Sequence, residues 1–227
     1  MKIILTACLL VMTNYCFGQF AVVRDKDGYS NVRNADSSSN IIDKLNNGHF
    51  VFLLDTDGDW AQINYAKNNA ELSGKMYRNR LVLVSSYKKI PLTVTQKDKV
   101  VLTDSSIKVV VAKQKFDKAK HKLTYYSDNK AQIKFVDNRQ YWGQDGGVPL
   151  YEYKAVEVYY KTKKIVFPAE ALKNVFEPTL FNTQVNYDKQ NDILYLQSSN
   201  SDGAGGYNVI WKIEKGIYKG RYIAYGF

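Results

Sequence analysis

Residues 27–84 consist of short apolar runs interrupted by aspartate, asparagine and glycine, and this pattern limits the fold more than any other feature. Turn clusters lie at Asp27-Gly28, Asn46-Asn47-Gly48 and Asp57-Gly58-Asp59. Such runs are typical of hairpin strands, and no sustained helical period accompanies them. The segment is therefore predicted to form a small β-barrel or sandwich. Its expected apolar positions are Val32, Ile42, Leu45, Val51, Leu53, Trp60, Ile63 and Leu81.

Four separated motifs in this segment follow the order found in the bacterial SH3 (SH3b) domain, which the segment resembles. Asn31-Val32-Arg33 is similar to the family's opening motif, and Asn47-Gly48 stands at its Lys-Gly turn. Asp59-Trp60 is similar to the start of the next strand. Gly74-Lys75-Met76-Tyr77 stands at the last motif, with Lys75 where the family usually has an aromatic residue.

The resemblance implies an SH3-like β-barrel at residues 20–84 that acts as a binding module. Its implied partner is a cell-envelope component, either a polymer such as the peptidoglycan peptide or an envelope protein. Tyr29, Trp60 and Tyr77 are its aromatic candidates for ligand binding. For Trp60 a place in the barrel core is the favoured expectation, because one large side chain matters most in a small core.

Residues 1–18 have the pattern of a secretory signal peptide. Lys2 is followed by an apolar run at residues 3–12, and Cys16-Phe17-Gly18 precedes the expected cleavage site before Gln19. That run is too short for a bilayer, which takes about 20 residues. We therefore expect an exported protein, periplasmic or secreted, that is soluble after cleavage and has no membrane span.

Few residues of the sequence suit catalysis or metal binding. Both cysteines, Cys8 and Cys16, lie in the predicted signal, so the expected mature chain has no thiol. The only histidines are His49 and His121, too few for the commoner multi-histidine zinc sites. Neither His-Glu-x-x-His nor Gly-x-Ser-x-Gly occurs. The sequence thus predicts no enzyme, no catalytic residue, no cofactor and no metal site.

Residues 92–227 are predicted to form a second, β-rich α+β domain after a polar linker at residues 85–91. Alternating apolar residues predict strands, most clearly at residues 151–160. The one expected helix spans residues 168–176, where proline suits the first helical position. The predicted class is mainly β: an SH3-like β-barrel followed by a β-rich domain with one short helix.

The net charge of +10 is concentrated in residues 89–134, which hold eleven lysines against four aspartates. A solvated lysine-rich face explains this stretch better than a dedicated anion site does. Nucleic acid is not an expected partner, because the protein is predicted to be exported and has no recognised nucleic-acid motif.

Two glycine-rich loops supply the remaining candidate residues. The loop at residues 141–149 contains Asp145, and the loop at residues 200–207 contains Asp202. Glycines allow backbone amides to approach a ligand closely, which makes both aspartates candidates for ligand binding. Neither loop has the Gly-x-x-x-x-Gly-Lys spacing of a phosphate-binding loop, and tight turns explain the same residues.

Two functions fit these observations, and an enzyme of an unfamiliar type survives as a third only because aspartate, glutamate and tyrosine chemistry leaves little local signature. The leading hypothesis is an exported non-enzymatic binding or scaffolding protein whose SH3b module contacts the cell envelope. The alternative is an inhibitor or immunity-type protein that blocks a secreted enzyme through the Asp145 and Asp202 loops. Convergence of the two loops on one concave face would favour an inhibitor or an enzyme, and separation would favour an adaptor. No pattern indicates the oligomeric state.

Overall fold

The computed structural model describes residues 18–225, and the fold is mainly β, as the sequence predicts. The first seven strands form one curled antiparallel sheet, the N-terminal sheet, in the order β3-β2-β6-β5-β4-β1-β7. Its strands are β1 (Gln19–Val23), β2 (Tyr29–Arg33), β3 (Ile41–Asn46), β4 (Phe50–Asp57), β5 (Trp60–Lys67), β6 (Ala70–Tyr77) and β7 (Leu81–Leu83).

Alternate residues of these strands fill a core inside the N-terminal sheet. Five of the eight expected apolar positions are buried there: Val32, Leu45, Val51, Leu53 and Ile63. Leu81 packs against this core while partly exposed. Ile42 is 48% exposed, because Leu45 is the inward residue of β3 and Ile42, three positions away, has the opposite parity.

The remaining strands form two five-stranded antiparallel sheets and a separate hairpin. The outer sheet has the order β15-β14-β11-β10-β9, and the middle sheet has the order β19-β18-β17-β16-β8. The strands are β8 (Lys88–Ile90), β9 (Leu92–Thr95), β10 (Lys99–Thr103), β11 (Ile107–Lys115), β12 (Leu123–Tyr125), β13 (Ile133–Val136), β14 (Tyr151–Tyr160), β15 (Lys163–Val166), β16 (Gln184–Asp188), β17 (Ile193–Asn200), β18 (Tyr207–Glu214) and β19 (Ile217–Tyr225). Strands β12 and β13 form the hairpin.

The middle sheet is buried on both faces. One face packs on the outer sheet and forms the largest core, in which Trp211 of β18 and Val109 of β11 are buried. The other face packs on the N-terminal sheet, where Tyr195 and Tyr222 meet Phe20 and Phe52. Burial on both faces explains why β17 begins with a continuous run of four buried apolar residues instead of an alternation.

Residues 85–91, predicted as a linker, instead contribute the strand Lys88–Ile90 to the middle sheet. Val84–Ser86 forms a turn of 3-10 helix, and β8 pairs with β16 at the edge of the sheet. Ile90 is fully buried in the core between the two sheets. Pro91 ends the strand because it has no N–H to donate to a sheet ladder. The first strand of the middle sheet therefore lies inside the predicted linker.

The predicted helix at residues 168–176 is wrong: only Ala169–Ala171 forms a turn of 3-10 helix. The carbonyl of its last residue accepts hydrogen bonds of 2.9 Å from both Trp211 Nε1 and the Arg221 guanidinium, which take the two lone pairs that a helical amide would need. Asn174 has φ +53°, and Phe176 bridges to β14. Tertiary contacts thus override a favourable local sequence. Residues 18–225 contain no helix of seven or more residues.

Within the described part of the chain, no helix is long and apolar enough to cross a membrane. Apart from Gly18, the predicted signal peptide lies outside the described residues.

Candidate functional site

Trp60 and Tyr77 form a stacked aromatic pair on the outside of the N-terminal sheet. They are directly opposite each other on β5 and β6, with ring centroids 4.0 Å apart and ring planes at 23°. The Arg33 guanidinium carbon lies 5.9 Å from the Trp60 ring centroid. We call these three residues the aromatic platform.

The favoured expectation that Trp60 belongs to the barrel core is wrong. Ala61, Ile63 and Tyr65 of the same strand are buried, so Trp60 has the outward parity and is only partly buried. This alternation is visible in the sequence and was outweighed by the general tendency of tryptophan to anchor small cores. Trp60 and Tyr77 are therefore available to a ligand.

Tyr29 lies apart from the stacked pair, although it is on the same face of β2 as Arg33. The Lys44 Nζ sits 3.2 Å from the centroid of its ring, a close cation–π contact. The two Arg33 side-chain bonds go to the carbonyls of Ser38 and Ser39, at 2.8 and 3.2 Å. These bonds hold the guanidinium beside Trp60. Of the three aromatic candidates, the structure brings two together.

The two glycine-rich loops converge. The Gly143 amide donates to the Gly205 carbonyl at 3.1 Å, and the Ser201 hydroxyl donates to the Gly143 carbonyl at 2.9 Å. A Cβ on Gly205 would lie 2.9 Å from the backbone nitrogen of Gln144, so this contact requires glycine. This convergence counts in favour of an inhibitor or an enzyme at the loops, on a surface separate from the aromatic platform.

A cavity of about 750 Å³, the loop cavity, lies beside the converging loops. Asp202 lines it together with Lys113 and Glu177, so that charges of both signs face the same space. Glu177 is held in place by Gln144, whose Nε2 donates to its Oε1 at 3.0 Å. Asp145 is exposed and is not among the lining residues. The structure therefore places only one of the two aspartates at the cavity.

Lys113 and Glu177 are functional candidates that the sequence did not single out. Lys113 lies within the lysine-rich stretch, which gave no reason to separate it from its neighbours. Its Nζ lies 4.5 Å from the ring centroid of Tyr151, another lining residue. Glu177 directly follows the segment wrongly predicted as a helix. Its φ of +50° lies in the left-handed region, outside any helix or strand, so no periodic sequence pattern marks it.

His121 is clamped between two carboxylates. Its Nδ1 lies 2.7 Å from Asp137 Oδ2, and its Nε2 lies 2.9 Å from Glu152 Oε2. Phe116 stacks on the imidazole with ring centroids 4.5 Å apart. Because both ring nitrogens are engaged and the side chain is largely buried, this histidine braces β14 against the loop before β12. No group of three histidine, cysteine, aspartate or glutamate side chains in residues 18–225 is placed to hold a metal ion.

The clamp predicts a pH dependence of stability. Burial lowers the pKa of His121, but the hydrogen bonds and charges of Asp137 and Glu152 outweigh burial and raise the pKa above its ordinary value. The stabilisation is therefore complete below the unfolded pKa of about 6.5 and is lost as the pH rises through the folded pKa. We expect His121→Gln to lower the melting temperature more at pH 5.5 than at pH 8.5.

His49 provides the matched control, because its pKa is shifted in the opposite direction. Burial lowers its pKa, and the hydrogen bond of its Nε2 to the Ala66 carbonyl at 3.0 Å does not compensate. A histidine with a lowered pKa contributes stability above its unfolded pKa, and this contribution is lost as the pH falls. His49→Gln should therefore cost more at pH 8.5 than at pH 5.5. The same pH trend in both variants would contradict the assignment.

Comparisons with known proteins give no relative: no family model matches the chain, and no curated protein or solved structure matches it. The case for a function therefore depends on the aromatic platform, the converging loops and the cavities of this chain.

Proposed function

We propose that the protein is an exported, non-enzymatic binding protein whose N-terminal sheet is an SH3b-type barrel. In this proposal the barrel contacts a cell-envelope component, either the peptidoglycan peptide or an envelope protein. Support comes from the ordered motifs of residues 27–84 and from a curled sheet of short antiparallel strands over the same residues. Export is proposed from the signal-like pattern of residues 1–18.

The observation that carries the proposal is the aromatic platform. Tyr77 is 41% exposed and its ring covers one face of Trp60, so two large rings are presented on a rigid sheet instead of a loop. Aromatic and arginine side chains supply most of the energy at protein recognition sites, because they combine large contact area with directional bonds. Arg33 adds a fixed cation suited to a carboxylate, such as those of peptide chains.

The non-enzymatic part of the proposal rests on how the candidate catalytic groups are engaged. The predicted mature chain has no cysteine, and both nitrogens of His121 are engaged by carboxylates. At the loop cavity, the Glu177 Oε1 accepts a hydrogen bond from Gln144 and another from the Leu150 amide. A carboxylate oxygen occupied in this way positions a loop.

A second candidate function is favoured by one specific observation. The converging loops place Asp202 beside the loop cavity, as an inhibitor or immunity-type protein would require for a protruding segment of a secreted enzyme. The positive and negative charges of Lys113, Glu177 and Asp202 suit a protein partner whose surface also carries charges of both signs. Asp145, the other residue of that hypothesis, does not line the cavity.

The test is co-sedimentation of the purified protein with peptidoglycan sacculi. We expect Trp60→Ala and Tyr77→Ala each to weaken binding about tenfold or more, which corresponds to about 1.4 kcal/mol of binding free energy. Tyr126→Ala is the matched control, because Tyr126 is also 41% exposed but lies outside the platform. Wild-type binding by both platform variants would contradict the proposal, and melting curves would show that every variant is folded.

A further inference from the structure

A second cavity, of about 500 Å³, lies between the N-terminal sheet and the middle sheet. We call it the polar cleft. The N-terminal side contributes Gln19 and Ser85, and the middle sheet contributes Gln184 and Asn208. Both its size and its position at a boundary between two structural units are typical of ligand sites.

None of the twelve residues that line the polar cleft is charged, although 24% of the chain is charged. Five of them are glutamine or asparagine, and each of these amides offers donors and an acceptor. The lining amides are Gln19, Asn182, Gln184, Gln197 and Asn208. A cleft of this composition discriminates against ions and suits a neutral ligand that both donates and accepts hydrogen bonds.

Two of these amides are uncommitted. Neither Gln184 nor Asn208 makes a side-chain hydrogen bond to any residue between 18 and 225, whereas the Gln197 Nε2 donates to Asn186 Oδ1 at 3.2 Å. Gln184 and Asn208 lie on strands β16 and β18 of the rigid middle sheet. Both residues therefore line the cleft from strands of a sheet, and their amides have no partner among the described residues that competes with a ligand.

Phe181 marks one border of the polar cleft. It is 67% exposed, the largest exposed fraction among the large apolar side chains described. The turn that carries it is pinned, because Leu180 and Thr183 are buried and the Asn182 Nδ2 donates to the Ser199 carbonyl at 3.0 Å. An exposed aromatic ring on a pinned turn, beside amides without partners in the described part of the chain, suits the apolar C–H face and polar edge of a pyranose.

The polar cleft adjoins the loop cavity, since Phe181 and Asn182 line both. A linear ligand that lies in the cleft therefore has a path across the Phe181 ring towards Lys113 and Asp202. Two adjoining cavities on either side of one aromatic ring suit a chain of repeating units better than a single small molecule.

We propose that the polar cleft binds a segment of uncharged glycan that carries N-acetylamino groups. The aromatic ring of Phe181 contacts a sugar ring, and the amides of Gln184 and Asn208 pair with acetamido and hydroxyl groups. This inference rests on the proposed function in one respect, the exported location that gives access to envelope glycans. It assigns the glycan to a surface separate from the aromatic platform.

The experiment is a calorimetric titration of the purified protein with the tetramer of β-1,4-linked N-acetylglucosamine. We expect saturable binding with one tetramer per chain and no comparable heat from maltotetraose, which lacks acetamido groups, or from the fully deacetylated, cationic glucosamine tetramer. Phe181→Ala should weaken binding about tenfold or more, and Gln184→Ala should weaken it measurably. Ile217→Ala, at a side chain 56% exposed on the far end of β19, is the matched control.

The outcomes separate this inference from the proposed function. Absence of tetramer binding, or equal binding by Phe181→Ala, overturns the glycan site. Equal binding of maltotetraose overturns the acetamido assignment, and saturable binding of a neutral alanine–glycine hexapeptide in place of the tetramer shows a peptide site. Trp60→Ala should leave the titration unchanged. If tetramer binding depends on Phe181 while sacculus binding is unchanged in Trp60→Ala and Tyr77→Ala, the glycan site in the polar cleft is supported. Only the proposal for the aromatic platform is then contradicted.

Discussion

Replacement of Trp211 by alanine is expected to lower the free energy of unfolding by about 3–5 kcal/mol. Trp211 is 2% exposed in the core between the middle and outer sheets. Its ring meets Tyr153 edge-on at 5.6 Å, and its Nε1 donates to the Ala171 carbonyl at 2.9 Å. The substitution removes these contacts and leaves a cavity that two stiff sheets cannot close. Urea denaturation followed by circular dichroism measures the loss.

Trp60→Ala is the matched control, since the same side chain is removed from a surface. Trp60 stacks on Tyr77 and is partly exposed, so we expect a loss of about 1 kcal/mol, the usual worth of an aromatic pair. A loss at Trp60 as large as that at Trp211 would contradict the placement of Trp60 outside the core. The two variants thus test the fold of both halves of the chain.

Gly143→Ala is expected to destabilise the protein by about 2–6 kcal/mol and to separate the two loops. Gly143 has φ +105°, where a side chain strains the backbone by about 1–3 kcal/mol. An added Cβ would also overlap the carbonyl of Phe176, and overpacking of this kind costs about 1–3 kcal/mol. Moving Gly143 breaks its hydrogen bond to Gly205 and opens the loop cavity.

The matched control lies in the opposite loop. Gly203 also has a positive φ, +52°, but an added Cβ there would meet nothing within 4 Å. Gly203→Ala should therefore cost about 1–2 kcal/mol, the left-handed penalty alone. Denaturation of both variants measures the difference, and equal costs would show that the close approach at Gly143 contributes nothing.

The strands of the N-terminal sheet were predictable because local rules determine them. Turn clusters such as Asn46-Asn47-Gly48 and the alternation of Ala61, Ile63 and Tyr65 act within a few residues, and Gly48 has the positive φ that such a turn needs. The core position expected for Trp60 follows a preference of the residue type, which the alternation of β5 contradicts. The alternation of buried and outward positions along β5 is therefore sufficient to place Trp60 outside the core.

The wrong predictions for the second half of the chain concern segments whose structure depends on residues far away in the sequence. Residues 85–91 contain a strand because β16 offers an edge. Residues 168–176 form no α-helix, and Trp211 and Arg221 both donate to the Ala171 carbonyl there. The polar cleft could not be predicted from the sequence for the same reason. Its residues come from β1 and β4, from the turns that carry Ser85 and Phe181, and from three strands of the middle sheet, and no local pattern relates them.

The burial of the middle sheet on both faces has a consequence for the order in which the chain folds. Asn186 donates to the carbonyl of Tyr87 across a sequence separation of 99, and β17–β19 follow later still. The N-terminal sheet is complete in sequence at Leu83, yet the rings of Phe20 and Phe52 on its outer face are covered only by these last strands. Long-range pairing of this kind slows folding. During synthesis, the first-formed unit therefore exposes an aromatic surface until the C-terminal strands emerge, and aggregation competes with folding during that interval.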